Sequence, residues 1–138
     1  MRFAVVLFLA FVIGCGGKTP TAPDSAFLRF TPRPPEPGSA ESATADAGQG
    51  QITVRATLPG PDPCRTLAGE LEQAVRQLIL RVSIRPTGGP CILILGRFAY
   101  DASIEGLVPG RYSLQVVHTY SSSGWPTDTV LNQTLDVR

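Results

Sequence analysis

The chain is poor in the residues that carry most enzyme chemistry. Its 138 residues hold one histidine, His118, one lysine, Lys18, and one tryptophan, Trp125. One imidazole and three cysteines with no Cys-x-x-Cys spacing do not supply the ligand set of a structural zinc site. No Gly-x-Ser-x-Gly elbow, phosphate-cradling glycine loop or calcium loop occurs. No metal and no cofactor are expected. The net charge is +1 and the arginines are scattered, so neither a nucleic-acid footprint nor an acidic polymer is implied. Long apolar runs are also lacking. The longest, Phe3 to Ile13, has eleven residues, against the roughly 20 that a spanning helix needs.

What is present begins with that short run. Met1-Arg2 places a positive charge before it, and Gly14-Cys15 follows it. A charged start, a short apolar stretch and a small residue are the parts of a secretory signal. Val12-Ile13-Gly14-Cys15 resembles the lipobox of bacterial lipoproteins. The resemblance implies removal of residues 1–14 and lipidation of Cys15 with diacylglycerol and an amide-linked acyl chain such as palmitate. It also implies a protein held on a bacterial membrane, the outer one if the cell has two, with its domain on the periplasmic or external side. Each buried methylene contributes about 0.8 kcal/mol, and two or more chains hold a protein stably where one does not.

With Cys15 taken by lipid, Cys64 and Cys91 remain as one pair. Export places them where disulfides persist. A closed loop of about 28 residues stabilises by roughly 3–4 kcal/mol in the chain-entropy treatment.

Residues 15–50 read as the lipidated cysteine and a disordered tether. Thr31-Pro32-Arg33-Pro34-Pro35-Glu36-Pro37 is stiff and extended in character, and Ser39 to Gly48 is rich in small residues. Phe27-Leu28-Arg29-Phe30 is the apolar exception. It either packs on the domain or the membrane, or stays a sticky patch in the linker, which the composition favours.

The domain is expected at 51–138. Ile52, Val54, Ala56 and Leu58 alternate with Thr53, Arg55 and Thr57, the period of a half-buried strand. Residues 66–85 carry two patterns. A helical face runs through Leu67, Leu71, Ala74, Val75, Leu78 and Val82, but Leu78, Leu80, Val82 and Ile84 alternate cleanly and Gly69 disfavours a helix. The reading taken is two strands, 66–72 and 77–85, around a turn. Cys91-Ile92-Leu93-Ile94-Leu95 is continuously apolar and reads as a buried strand. Further alternating runs cover 98–104, 112–118 and 129–137.

About seven short strands with frequent turn signals make an all-β sandwich. Gly106-Leu107-Val108-Pro109-Gly110-Arg111-Tyr112 resembles the hairpin turn of immunoglobulin-like and transthyretin-like sandwiches in bacterial surface proteins. That resemblance implies a tyrosine packed into the core and says nothing about activity.

No catalytic constellation is legible. His118 sits on a strand, Ser121-Ser122-Ser123 has the composition of a loop, and Glu70, Glu72, Asp101 and Glu105 read as solvated strand residues. The expected function is a non-enzymatic, membrane-anchored interaction domain serving adhesion, envelope organisation or partner binding, with an envelope protein or a glycan as partner. The alternative is a small-ligand or carbohydrate module using Tyr120 and Trp125, which flank a polar loop. Trp125 alternatively folds back to cap the core.

Overall fold

The structure, a computed structural model, describes residues 25–138. The signal segment, Cys15 and the first part of the expected tether lie outside the described residues. Eight strands follow: β1 (Phe27–Arg33), β2 (Ser42–Ala47), β3 (Gln51–Gly60), β4 (Arg65–Ala74), β5 (Gln77–Pro86), β6 (Gly96–Glu105), β7 (Gly110–Tyr120) and β8 (Asp128–Val137). They form two four-stranded sheets, ordered β1-β6-β3-β2 and β4-β5-β7-β8. All pairings are antiparallel except β5 with β7. The sheets pack face to face as a sandwich, and their edges meet at two seams, β1 against β4 and β2 against β8.

Period-two alternation explains the core. Ile52, Val54, Ala56 and Leu58 of β3 lie opposite Leu78, Leu80, Val82 and Ile84 of β5, with Tyr100, Ala102 and Ile104 of β6 and Leu114 and Val116 of β7 beside them. The competing helical face over 66–76 loses to this pattern. Helical spacing would expose half of the residues that β5 buries, whereas strand spacing buries all four.

The sandwich takes in residues that composition assigned to a tether. Ordered structure starts well before Gln51, because β1 and β2 complete the first sheet. Leu28 and Phe30 pack against the core, and the Phe30 ring lies 5.0 Å from that of Tyr100. Phe30 also covers Gly69 of β4: a Cβ on Gly69 would stand 2.4 Å from the Phe30 ring. The β1–β4 seam therefore requires a residue without a side chain at 69. In β2, Ala43, Ala45 and Ala47 pack against the core at the β2–β8 seam.

A second correction concerns 91–95. These residues are a loop, and Ile92, Leu93, Ile94 and Leu95 are exposed. Their β3 partner has run out: pairing ends at Gly60 opposite Gly96, where the Asp62 carbonyl crowds close against Gly96. With no strand beside it, an apolar run cannot be a buried strand. The alternation expected for 129–137 also fails in part. A bulge between Val116 and Val117 leaves Val130 without a direct partner and puts Thr129 out of step with Leu131; Gln133, in register opposite Leu114, is exposed on this edge strand, and only Leu135 and Val137 are buried.

The Gly106–Tyr112 turn is held from outside. Leu107 is buried, and the Tyr112 hydroxyl donates to the Val108 carbonyl at 3.0 Å. Arg76, in the two-residue turn between β4 and β5, lies over the Tyr112 ring at 4.8 Å and donates to the Pro109 carbonyl. Gly110 has φ +142°, and a Cβ there would meet the Arg76 guanidinium at 2.5 Å.

Candidate functional site

Strand directions give the sandwich two distinct poles. At one pole lie Ser25, the β2–β3, β4–β5 and β6–β7 turns and Arg138, whose backbone is tied to Gly48 and Gly50. At the other lie four connections, 34–41, 61–64, 87–95 and 121–127, three of them longer than any turn at the first pole. The first of these arches over β6 and β3, and Arg97 donates to the Ser39 carbonyl beneath it. Rigid sheets hold these loops in place, so the loop pole is free to carry recognition.

Two devices order that pole. Cys64 and Cys91 are joined by a disulfide with Cα atoms 6.0 Å apart, which clamps the 87–95 loop onto the 61–64 connection. Arg65 is nearly enclosed, pairing with Asp62 at 2.7 Å and donating to the Ser121 carbonyl at 2.6 Å. It thus ties the second connection to the fourth. The Arg65 bond holds the Asp62 carboxyl below the usual range, aided by the Cys64 backbone N–H. Asp62, Cys64 and Cys91 are the one trio with metal-ligand proximity among the described residues. Both sulfurs are spent in the disulfide and carry no thiolate, so the trio lacks a ligand set.

The two aromatic residues named from sequence do meet. Tyr120 and Trp125 have ring centroids 5.1 Å apart. The Ser123 hydroxyl shapes the turn between them, donating to the Tyr120 carbonyl and accepting from the Trp125 N–H. Tyr120 packs against the core, but Trp125 stands outside that cluster, half-buried on Tyr120. Trp125 is therefore no cap on the core.

Beside this pair, at the β2–β8 seam, a pocket of about 330 Å³ opens between Glu41, Ser42, Ala43, Thr57, His118, Asp128, Thr129 and Val130. Of these residues His118 is fully buried. Its Nε2 lies 3.0 Å from the Tyr100 hydroxyl, and its Nδ1 has no partner. Burial pushes the imidazole down to about 4, with Asp128 opposing weakly, so His118 is neutral at pH 7. Burial likewise holds Tyr100 far above an ordinary phenol. The Tyr120 phenol is raised by burial and then by the negative charges of Glu41 and Asp128.

The pocket has no signature of its own along the chain, because its lining comes from β2, β3, β7 and β8 and the composition of β2 is that of a linker. The one available signal was the Ser-Ala-Thr-Ala-Asp-Ala alternation over 42–47. The four carboxylates read as solvated are ion-paired on the sheet faces: Glu70 with Arg85, Glu72 with Arg81, Asp101 with Arg33 and Arg55, and Glu105 with Arg29. A second depression, of about 460 Å³, lies on the first sheet, and its lining includes the Arg55–Asp101 pair.

No family model, curated protein or solved structure matches the chain.

Proposed function

We propose that this chain is a bacterial envelope lipoprotein, anchored through acyl chains on Cys15, whose immunoglobulin-like or transthyretin-like sandwich is a non-enzymatic binding domain. One observation carries the reading. The chain enters at Ser25 on one pole, while the disulfide-clamped aliphatic loop and the Tyr120–Trp125 pair lie on the opposite pole. Strands of about ten residues separate the poles by roughly 30 Å. A domain anchored ahead of Ser25 would present its loop pole away from the anchor. Ile92 to Leu95 are the longest unbroken stretch of exposed aliphatics among the described residues, the kind of surface that marks a protein contact.

The non-enzymatic part rests on how the polar groups are used. His118 Nε2 is bonded to Tyr100 and the Ser123 hydroxyl to backbone, so no nucleophile is paired with a base there.

Photocrosslinking in native envelopes tests the reading. A crosslinker at Leu93 should trap a defined partner, and one at Val75 on the opposite pole should not. Capture from both positions alike, or from Val75 alone, would remove the loop pole as the contact surface. The aromatic pair also suits a sugar face. Retention on an immobilised glycan that is lost in Trp125→Ala would favour the carbohydrate reading.

A further inference from the structure

The pole at which the chain enters carries an apolar rim that lies outside the core. Phe27, Val75 and Val108 are exposed there, Val75 almost completely at 92%. They come from three separate segments, and three contacts draw those segments together. The Ala26 N–H donates to the Gln73 side chain, Arg76 donates to the Val108 and Pro109 carbonyls, and the Phe27 ring lies 3.7 Å from where a Cβ on Gly106 would stand. The residues at the tip run against turn chemistry. A two-residue hairpin turn favours Asn-Gly or Asp-Gly, yet Val75-Arg76 joins β4 to β5, with Arg76 in the left-handed region at φ +57°. Local rules are expected to break in this way where a surface serves function. Arg76 takes part in none of the ion pairs among the described residues, whereas Arg29 is paired with Glu105 and Arg111 with Asp136.

We infer that this rim rests on the surface of the membrane that holds the acyl chains, with Phe27, Val75 and Val108 among the headgroups and Arg76 beside lipid phosphates. The inference rests on the proposed anchor at Cys15 and goes beyond the binding pole. Chain length names the occupant. Cys15 and Ser25 are ten residues apart, a stretch that spans at most about 35 Å. The entry pole meets the bilayer well within that reach. Laying the loop pole on the same bilayer would lift Ser25 by roughly 30 Å and require the link to be drawn out almost fully. The link thus decides between the two exposed apolar surfaces, and it selects the smaller one. Three side chains bind a membrane weakly from free solution, but a short link holds them beside it at an effective concentration on the order of millimolar. The apolar groups leave water at the interface, and the arginine stem lies along it with the charge at phosphate level. The docked rim stands the domain upright and keeps Ile92 to Leu95 clear of the lipid.

The test couples the chain from Cys15 onward to a maleimide lipid in vesicles of phosphatidylethanolamine and phosphatidylglycerol. The disulfide leaves Cys15 as the only thiol, so coupling is specific and does not depend on acylation in the cell. An environment-sensitive fluorescent amino acid is placed at position 75 or at position 93. Compared with the uncoupled protein, the probe at 75 should be quenched by aqueous iodide at least about threefold less, and it should be quenched by a lipid with a nitroxide headgroup. The probe at 93 should keep its solution behaviour with both quenchers. Val108→Asp, at an unchanged melting temperature, should return iodide quenching at 75 to the uncoupled level. Iodide quenching at 75 that is the same before and after coupling would overturn the inference, as would protection that survives Val108→Asp or nitroxide quenching at 93 in place of 75. A crosslinker at Val75 that traps a second copy or a defined protein in native envelopes would overturn it too. Quenching as expected on the maleimide lipid, in a chain that takes up no fatty-acid label in cells, would support the rim as a membrane-facing surface and remove only the lipoprotein reading.

Discussion

A neutral imidazole in the core makes this sandwich sensitive to acid through one residue. His118 is held at about 4 in the folded chain, against 6.5 for a free imidazole. Between those values the unfolded chain binds a proton that the folded chain refuses. The stability contributed by burying neutral His118 is therefore full above about pH 6.5. It is lost as pH falls towards 4, and it changes little below that. The span corresponds to on the order of 3 kcal/mol. Urea denaturation between pH 7 and 4 should show this decline. His118→Gln can keep a bond to Tyr100, so it should lower stability modestly at pH 7 and flatten the slope by about one proton taken up on unfolding. An unchanged slope in the variant would assign the acid lability to other groups. Position 110 is constrained by a different force. Arg76 closes on it so tightly that Gly110→Ala should displace the guanidinium from Tyr112 and lower the melting temperature.

Among the elements, the disulfide and β1 do the most to join what the sequence separates. The Cys64–Cys91 bond closes 27 residues that include all of β4 and β5, and it pins the aliphatic loop at its end. Reduction should lower stability by about 2–4 kcal/mol and make both thiols available to alkylation, which they should resist before reduction. β1 reaches its sheet through Leu28 and Phe30, and Phe30→Ala should cost about 3–5 kcal/mol, the range for a large packed aromatic. A melting temperature unmoved by Phe30→Ala would return β1 to the status of a linker. The strands legible in advance were those whose own residues alternate with large apolar side chains, such as β3, β5 and β7. β2 alternates as cleanly, but its inward residues are alanines, and small residues announce flexibility unless a neighbouring surface is known to converge on them. The run 91–95 misled in the opposite way. Hydrophobicity alone resembles burial, yet burial in a sheet needs a strand on at least one side.

At the scale of the molecule, the outcome is an oriented domain. Its chain entry and its loops occupy opposite poles, and its sheets meet along two edge seams, with a pocket lined by Glu41, His118 and Asp128 at one of them. If Cys15 carries the acyl chains, the wild-type protein should label with a fatty-acid probe and partition into detergent, and Cys15→Ala should do neither. Equal labelling of the two would remove the anchor, and with it the argument that the loop pole faces outward. The acylated protein and the Cys15→Ala protein should share one melting temperature, because the described fold begins beyond the lipidated residue.

The amino-acid sequence alone determined whatever depends on neighbours along the chain. Period-two alternation decided strands over helix at 66–85, and turn residues decided where hairpins form. With Cys15 set aside as the expected lipid site, cysteine arithmetic left the pair that the structure joins, Cys64 and Cys91. The first two of these rest on interactions whose signature is local, and the third on a count made under that expectation. Tertiary structure alone decided that residues 27–47 belong to the sandwich, since their inward faces are small or sparse and acquire meaning only against Gly69, Tyr100 and the converging edge of β8. It alone decided that Ile92 to Leu95 are exposed, because that follows from where β3 ends. It also assembled the pocket of Glu41, His118 and Asp128 from four strands distant in sequence. A site built across a seam has no spacing rule along the chain, because its distances are set by how two sheets meet.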